Sequence, residues 1–262
     1  MSRILITGST GSIGRSFINT MVLEERITED FRGVREEIRR KNPTCLIHLA
    51  ANSTPEINAK HDDFLNVQSP RMLFEICQEV GIERFIFCSS GHVYGNHDKA
   101  VSEVDETYPI SLYAEQKLKA EKLLESVSCF SSTNLIVARI FSIFGPGMRV
   151  KYLAGRLERQ IKDQHRVDVW NSEDVRDFLS PAEASLYLSY LAKLKGVQHL
   201  EIINVCSGIP ITIRKYLLKN FIEIDRLNFD YKSSEMPFLV GDNSKLNRSL
   251  IELTDLEKGL QK

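Results

Sequence analysis

A short apolar run, Arg3-Ile4-Leu5-Ile6-Thr7, leads straight into Gly8-Ser9-Thr10-Gly11-Ser12-Ile13-Gly14, and a helical pattern over 12–22 follows. Strand, glycine-rich turn and helix start, in that order, commit the N-terminus to one corner of a parallel sheet. Glycine permits the tight turn and lets backbone N–H groups approach a ligand closely. A helix opening at Ser12 would aim its positive end at that ligand, so the corner reads as a phosphate cradle. Gly8, Thr10, Gly11, Ser12, Ile13 and Gly14 are therefore the candidate contacts to a dinucleotide pyrophosphate. Their flanks are those the dinucleotide fingerprint requires.

The same alternation continues along the chain. Apolar runs at 44–51, 83–90 and 134–140 are continuous, as in strands covered on both faces. Helical patterns fill 31–41, 56–80 and 111–126 between them. The prediction is an α/β fold, a doubly wound parallel sheet, over residues 1–148. After Gly145-Pro146-Gly147 the texture changes to a charged helix over 150–163, a strand at 167–170, an amphipathic stretch at 186–194, a strand at 201–205 and a helical pattern over 211–224. Residues 149–262 read mainly as a small C-terminal substrate lobe, with 165–180 and 200–208 contributing elements near the sheet edge. Ligands of open α/β sheets bind at the carboxyl edge, which such a lobe would cover.

Bulk properties narrow the partners. With 34 basic against 35 acidic side chains the net charge is −1, so no footprint for nucleic acid or an anionic membrane is present. The basic residues of 32–41 are interrupted by Glu36 and Glu37, as on a solvated helix face. Five cysteines without a CxxC pair read as reduced thiols, neither a disulfide frame nor a metal site. The stretch before Gly8 is too short for a signal peptide, and no apolar run nears the roughly 18 residues of a membrane span. A soluble, cytoplasmic protein without metal, membrane or nucleic-acid partners is expected.

Tyr113-Ala114-Glu115-Gln116-Lys117 places a phenol and an ammonium four residues apart, on one helix face. Ser90 ends the 83–90 strand at the edge that faces a bound ligand. With these pieces the chain resembles the extended short-chain dehydrogenases/reductases that act on nucleotide sugars. The resemblance rests on Gly8-x-x-Gly11-x-x-Gly14, Ile47-His48-Leu49-Ala50-Ala51, Asn66, Ser89-Ser90-x-x-Val93-Tyr94-Gly95 and Tyr113-x-x-x-Lys117. It continues through Arg139-x-Phe141, Gly145-Pro146-Gly147, Arg176-Asp177-Phe178 and Asn204-Val205-x-x-Gly208, all in family order over residues 1–208.

The resemblance implies NAD or NADP as cofactor and a nucleotide sugar as substrate. Tyr113 would be the general base/acid, with Lys117 favouring its phenolate by proximity and holding the nicotinamide ribose. Ser90 would orient the reacting oxygen. Leu49, Ala50 and Ala51 would line the cofactor groove, or simply pack as strand residues, and Asn66 joins the cofactor set. Arg176 would clamp a diphosphate, or else form an ion pair with Asp174 or Asp177. Ser53 and Thr54 would bond the sugar or cap a turn, and Ser142 stands where the family commonly has a substrate-contacting asparagine. The family also implies a homodimer through the 56–80 and 111–126 helices. Phe64, Val67, Leu73, Ile76, Leu118, Leu123 and Leu124 would supply its apolar contacts, the alternative being the chain's own core.

Two departures matter. Only 33 residues separate Gly14 from His48, fewer than the family usually carries. On that spacing the second strand and its ribose-binding acid are trimmed away, and Asp30-Phe31 resembles the family pair that touches adenine. A strand over 26–30 is the alternative, and the choice of NAD or NADP stays open. Gly91-His92 also follows Ser90 where dehydratases of the family carry Asp-Glu, which argues against dehydration. His92 is then an auxiliary acid/base contacting substrate, or a plain loop histidine. The leading expectation is a nucleotide-sugar epimerase working through a keto-sugar. An NADPH-dependent keto-sugar reductase is the alternative, and a non-catalytic cofactor-sensing or scaffold protein the reading from another class.

Overall fold

Strand residues sort onto two faces by parity, as a sheet covered by helices on both sides demands. The computed structural model describes residues 3–53, 62–129, 131–150, 152–163, 166–196, 199–220, 224–230 and 234–259. Six strands form its main sheet: β1 (Ile4–Thr7), β2 (Met21–Val22), β3 (Cys45–His48), β4 (Arg84–Ser90), β5 (Asn134–Ile140) and β6 (Leu200–Val205). They are all parallel, in the order β6-β5-β4-β3-β1-β2. The helices are α1 (Arg32–Lys41), α2 (Ser69–Val80), α3 (Leu112–Ser128), α4 (Leu153–Lys162), α5 (Pro181–Leu191), α6 (Ile213–Asn220) and α7 (Ser244–Gly259). Ile4, Ile6, Ile47, Ile86 and Ile136 face α5 and α7 through Leu188, Leu191 and Leu246. Leu5, Leu46, Phe85, Phe87 and Val137 face Val34 and Ile38 of α1, Leu73 and Phe74 of α2, and Leu124 of α3. The doubly wound sheet is thus confirmed, and the strand order reverses between β1 and β3, where a crevice opens at their carboxyl ends.

The helix expected over 12–22 does not form. A single 3-10 turn, Gly14–Ser16, takes its place, and Phe17 is already extended at φ −73° and ψ 136°. Parallel strands need a crossover of a dozen or more residues. Residues 8–20 must supply both the glycine turn and the return to β2, whose Met21 pairs with Leu5, so no length remains for a helix. The trimming therefore removed the first helix. The second strand survives as a two-residue remnant at Met21–Val22, and no strand forms at 26–30.

Helix α5, strand β6 and helix α7 return to the main sheet, and the remaining strands of the second half pair in small sheets. There Val175–Arg176 lies between Ile211–Thr212 and Phe238–Leu239, and Phe178–Leu179 pairs with Ser142–Ile143. Asp177 holds these pieces together. Its buried carboxylate accepts from the Ser207 N–H and hydroxyl, both at 2.7 Å, and from the Gly208 N–H at 2.8 Å. The helix positions that suggested a dimer are largely spent inside the chain. Val67, Leu73, Ile76 and Leu124 are buried, and Phe64 and Leu118 pack against core clusters.

Candidate active site

Strand β4 ends at Ser90, whose Oγ accepts the His92 N–H at 3.2 Å and starts the 3-10 turn Gly91–Tyr94. Across from it, Ser111 caps α3 by accepting the Ala114 N–H at 3.3 Å. That cap fixes the first turn of α3 and sets Tyr113 and Lys117 on one face. Lys117 is 2% exposed, and its Nζ donates to the Cys88 carbonyl at 2.8 Å. The same nitrogen lies 4.7 Å from the Phe87 ring centre and 5.8 Å from that of Tyr113. Burial lowers the Lys117 pKa to about 8. For Tyr113 burial acts first, followed by nearby Tyr152 and Cys88, and together they push the phenol above its usual range.

One cavity of about 450 Å³ is bordered by Ser90, Tyr113 and Lys117, and on its other wall by Gly8, Gly11, Ser12, Ile13 and Gly14. Leu49, Ala51, Ser53, His92, Ser142, Arg149 and Tyr152 are also among its lining, so most of the sequence-derived candidates converge there. The turn requires glycine by its own close packing. A Cβ at Gly8 would stand 2.7 Å from the Ala50 nitrogen, and one at Gly14 would overlap the Gly8 carbonyl oxygen. Among the described residues the N–H groups of Ser12 and Ile13 donate to no backbone or side-chain acceptor, although both residues line the cavity. Unpaired donors of this kind suit an anion. They act here from a turn, without the helix dipole the sequence suggested.

A second cleft of about 960 Å³ adjoins it, lined by Thr7 to Thr10, residues 22–29, Ala50, Phe64 and Leu65. Thr10 and Ala50 sit there. The segment after β2 is pinned by Glu37 of α1, which accepts the N–H groups of Glu24 and Glu25 at 3.0 and 2.8 Å. Asp30 and Phe31, expected at the adenine, do not line this cleft. Asp30 is ion-paired with Arg32 at 2.7 Å, which holds its carboxyl down to about 2, and Phe31 is buried in the core.

Other candidates take supporting positions. Asn66 lies outside the cavity lining; its Oδ1 accepts the Asn52 N–H at 2.8 Å, and its Nδ2 donates to the Asn52 carbonyl and to Gln116. It braces the loop that carries Ala51 and Ser53. Arg176 is engaged by Asp174 at 2.9 Å, the ion-pair alternative, and does not line the cavity. His92 lines it, but burial and then the Arg176 charge lower its pKa to about 4, so it stands neutral. Thr54 lies outside the described residues.

Three features were not anticipated from the sequence. Thr7 Oγ1 contacts His48 Nδ1 at 2.8 Å while accepting the Leu49 and Ala50 N–H groups, which fixes the groove floor. Glu121, one turn after Lys117, takes the hydroxyl of Ser89 and pairs with buried Arg139 at 2.7 Å. Tyr152 enters the cavity from the residue before α4. The Tyr/Ser composition carries a hint of such hydrogen bonding, but nothing local identifies the partners.

Among the described residues, no group of three or more His, Cys, Asp or Glu side chains is placed to hold a metal ion. No helix among them is long and apolar enough to cross a membrane.

A parallel sheet with a glycine turn at its switch point, facing a Ser–Tyr–Lys cluster across one cavity, is the layout of a Rossmann-type nucleotide-binding protein. The chain belongs to the NAD dependent epimerase/dehydratase family, whose model matches residues 23–206. This is an enzyme family, and the match begins beyond the shortened N-terminal corner. The chain is 27% identical over 252 residues to the dTDP-4-dehydro-6-deoxyglucose reductase of Escherichia coli, covering 82% of this chain and 79% of that one. Its fold is similar to MoeE5, solved with UDP-glucuronic acid and NAD, at a TM-score of 0.82 and 22% identity, covering 95% of this chain and 92% of that chain. RMD from Pseudomonas aeruginosa, solved with NADPH, gives a TM-score of 0.80 at 23% identity, with 95% and 92% covered.

Proposed function

We propose that the chain is an NADH-dependent reductase of a keto-sugar nucleotide. The observation that carries this reading is the single cavity shared by the glycine turn and by Ser90, Tyr113 and Lys117. Gly8, Gly11, Ser12, Ile13 and Gly14 would hold the pyrophosphate of the cofactor, Leu49 to Ala51 its groove, and Lys117 its ribose. The cofactor, when bound, supplies the hydride. Ser90 hydrogen-bonds the substrate carbonyl oxygen, and Tyr113 passes its phenolic proton to that oxygen as the hydroxyl forms. The ammonium of Lys117 stabilises the phenolate left behind, which is reprotonated from solvent.

Direction is argued from the same geometry. Burial keeps Tyr113 protonated, which is the state a proton donor to a carbonyl needs. An epimerase starts from the phenolate and retains its cofactor through turnover. The turn here lacks its helix, and the adjoining cleft is wide, so less surface is available to retain a dinucleotide. The E. coli relative is named as a reductase. Glu25 and Glu29 line the cleft beside Arg26, while Glu24 is already paired with Lys41 at 3.1 Å, so the local charge is negative and a 2′-phosphate would be repelled, which favours NADH over NADPH. Dehydration lacks an acid pair, because Gly91 is covered by the Phe141 ring and His92 is neutral.

The test is a panel of UDP-, dTDP-, GDP- and CDP-linked 4-keto sugars with NADH, followed at 340 nm. Stoichiometric oxidation of NADH by one of them is expected. Sugar interconversion with no net loss of NADH, on protein that retains tightly bound NAD, would establish the epimerase instead.

A further inference from the structure

Tyr152 is absent from every sequence-level expectation, yet the structure puts its phenol in the wall of the catalytic cavity beside Tyr113. Its Oη is hydrogen-bonded to Ser53 Oγ and also donates to the Ser53 carbonyl at 3.4 Å. The two residues lie 99 positions apart, one on the loop that leaves β3 and the other at the mouth of α4. Tyr152 is not loosely held. Its N–H donates to the Arg149 carbonyl at 3.0 Å, and its carbonyl accepts the Arg156 N–H at 2.9 Å, so its backbone is fixed at the helix start. The phenol is in turn directed by its bonds to Ser53.

Resting on the nucleotide-sugar reading above, we infer that Tyr152 and Ser53 form a hydroxyl-reading subsite for the sugar ring, next to the carbon that reacts. Three observations carry this. Both side chains border the cavity that also holds Ser90 and Tyr113. Each is a neutral hydroxyl that donates and accepts, the complement of a sugar hydroxyl and a poor partner for a diphosphate, which calls for cations. The bond they share also satisfies both groups when no sugar is bound, so neither carries a desolvated, unpaired polar atom.

That mutual bond sets how selective the subsite can be. A site whose polar groups are left bare by the wrong ligand rejects it strongly. Here a sugar lacking the hydroxyl leaves Tyr152 and Ser53 bonded to each other. Discrimination between the hydroxy and deoxy forms is then modest, about tenfold, the size of one net neutral hydrogen bond. The pair reads the sugar without excluding near relatives.

The experiment compares sugar nucleotides with their bare diphosphates by calorimetric titration in the presence of NAD. The probe pairs are UDP with UDP-glucose, dTDP with dTDP-glucose, and GDP with GDP-mannose, and the pair that binds the unmodified chain most tightly is carried forward. Tyr152→Phe is expected to weaken the sugar nucleotide about fivefold to tenfold and to leave the bare diphosphate unchanged. Ser53→Ala should do the same, and the double variant should lose little more than either single one, because one subsite is removed in each case. Equal weakening of sugar nucleotide and diphosphate, or no weakening in either variant, overturns the inference while the proposed function stands. A drop in melting temperature with the sugar-to-diphosphate ratio unchanged assigns the pair a purely structural role and overturns it too. If the unmodified chain binds no member of any pair, the nucleotide-sugar reading falls and this inference with it. Ser53→Ala keeps the test decisive should Tyr152→Phe fail to fold.

Discussion

Tyr113 and Lys117 divide one task between two side chains, and their substitutions should separate. Tyr113→Phe removes the transferable proton and keeps the ring, so kcat should fall about 10²- to 10⁴-fold with the KM for NADH little changed. Lys117→Ala should lower kcat comparably and raise that KM as well, since the same ammonium serves the phenolate and the ribose. Steady-state kinetics on the substrate found in the panel checks both. Because burial brings the Lys117 pKa to about 8, its charge is lost above that pH, and the KM for NADH should climb there. Two buried histidines contribute on the acid side. Burial lowers the pKa of His48 to about 3, and burial with Arg176 lowers that of His92 to about 4, both from 6.5. Unfolded chains bind these protons near pH 6.5 while the folded chain does not, so the stability both contribute is complete above 6.5 and is lost as pH falls toward 4. Melting temperatures from pH 7.5 to 4.5 should show that decline, and His92→Gln should flatten it. Superimposable curves for the two proteins would remove His92 from this account.

At the scale of elements, the N-terminal corner is where the chain departs most from a plain dinucleotide-binding unit. Gly14→Ala should abolish nucleotide binding or folding, since its Cβ would overlap the Gly8 carbonyl oxygen, whereas Gly81→Ala meets no atom within 4 Å and costs only its left-handed backbone at φ +80°. Thermal melts with and without NAD distinguish the two. Downstream of β2, the carboxylates of Glu25 and Glu29 predict a kcat/KM for NADH at least about tenfold above that for NADPH, with Glu29→Arg narrowing the gap. The strands were legible in the sequence because Ile4 to Ile6, Leu46 to Ile47 and Phe85 to Phe87 are apolar without interruption. The 12–22 helix was misread because Ile13, Phe17 and Ile18 recur with helical spacing, while what decides the matter is the span available between β1 and β2. Ser90, Tyr113 and Lys117 could be placed because the strand end and the i, i+4 spacing are local features, and the family resemblance supplied their roles. Tyr152 could not, because its position is set by a loop partner 99 residues away, and no local pattern encodes such a pair. Asp30-Phe31 lies outside the cleft lining for a related reason: Arg32, two residues on, pairs with the carboxylate, and Phe31 packs in the core.

For the molecule as a whole, the open question is whether one chain suffices. The expected dimer placed the apolar residues of two helices between twin subunits. In the structure Val67, Leu73, Ile76 and Leu124 are buried against the chain's own sheet or neighbouring helices, and a side chain spent inside one subunit cannot also bury surface in another. Phe64 and Leu118 lean on core clusters as well, which leaves half-buried Leu123 on the outer side of α3 amid Lys119, Lys122 and Glu125. A stable interface removes about 800 Å² from each partner and has an apolar centre. Of the seven apolar positions that suggested a dimer, only Leu123 is neither buried nor packed against a core cluster. Nor does the cavity need a second copy, since Ser90, Tyr113, Lys117 and the glycine turn all come from the same chain. Sedimentation at tens of micromolar, a range (roughly) where a typical specific interface would be filled, should therefore give the 29.9 kDa monomer. A 2:1 mass that Leu123→Glu abolishes would show instead that α3 pairs through its exposed face.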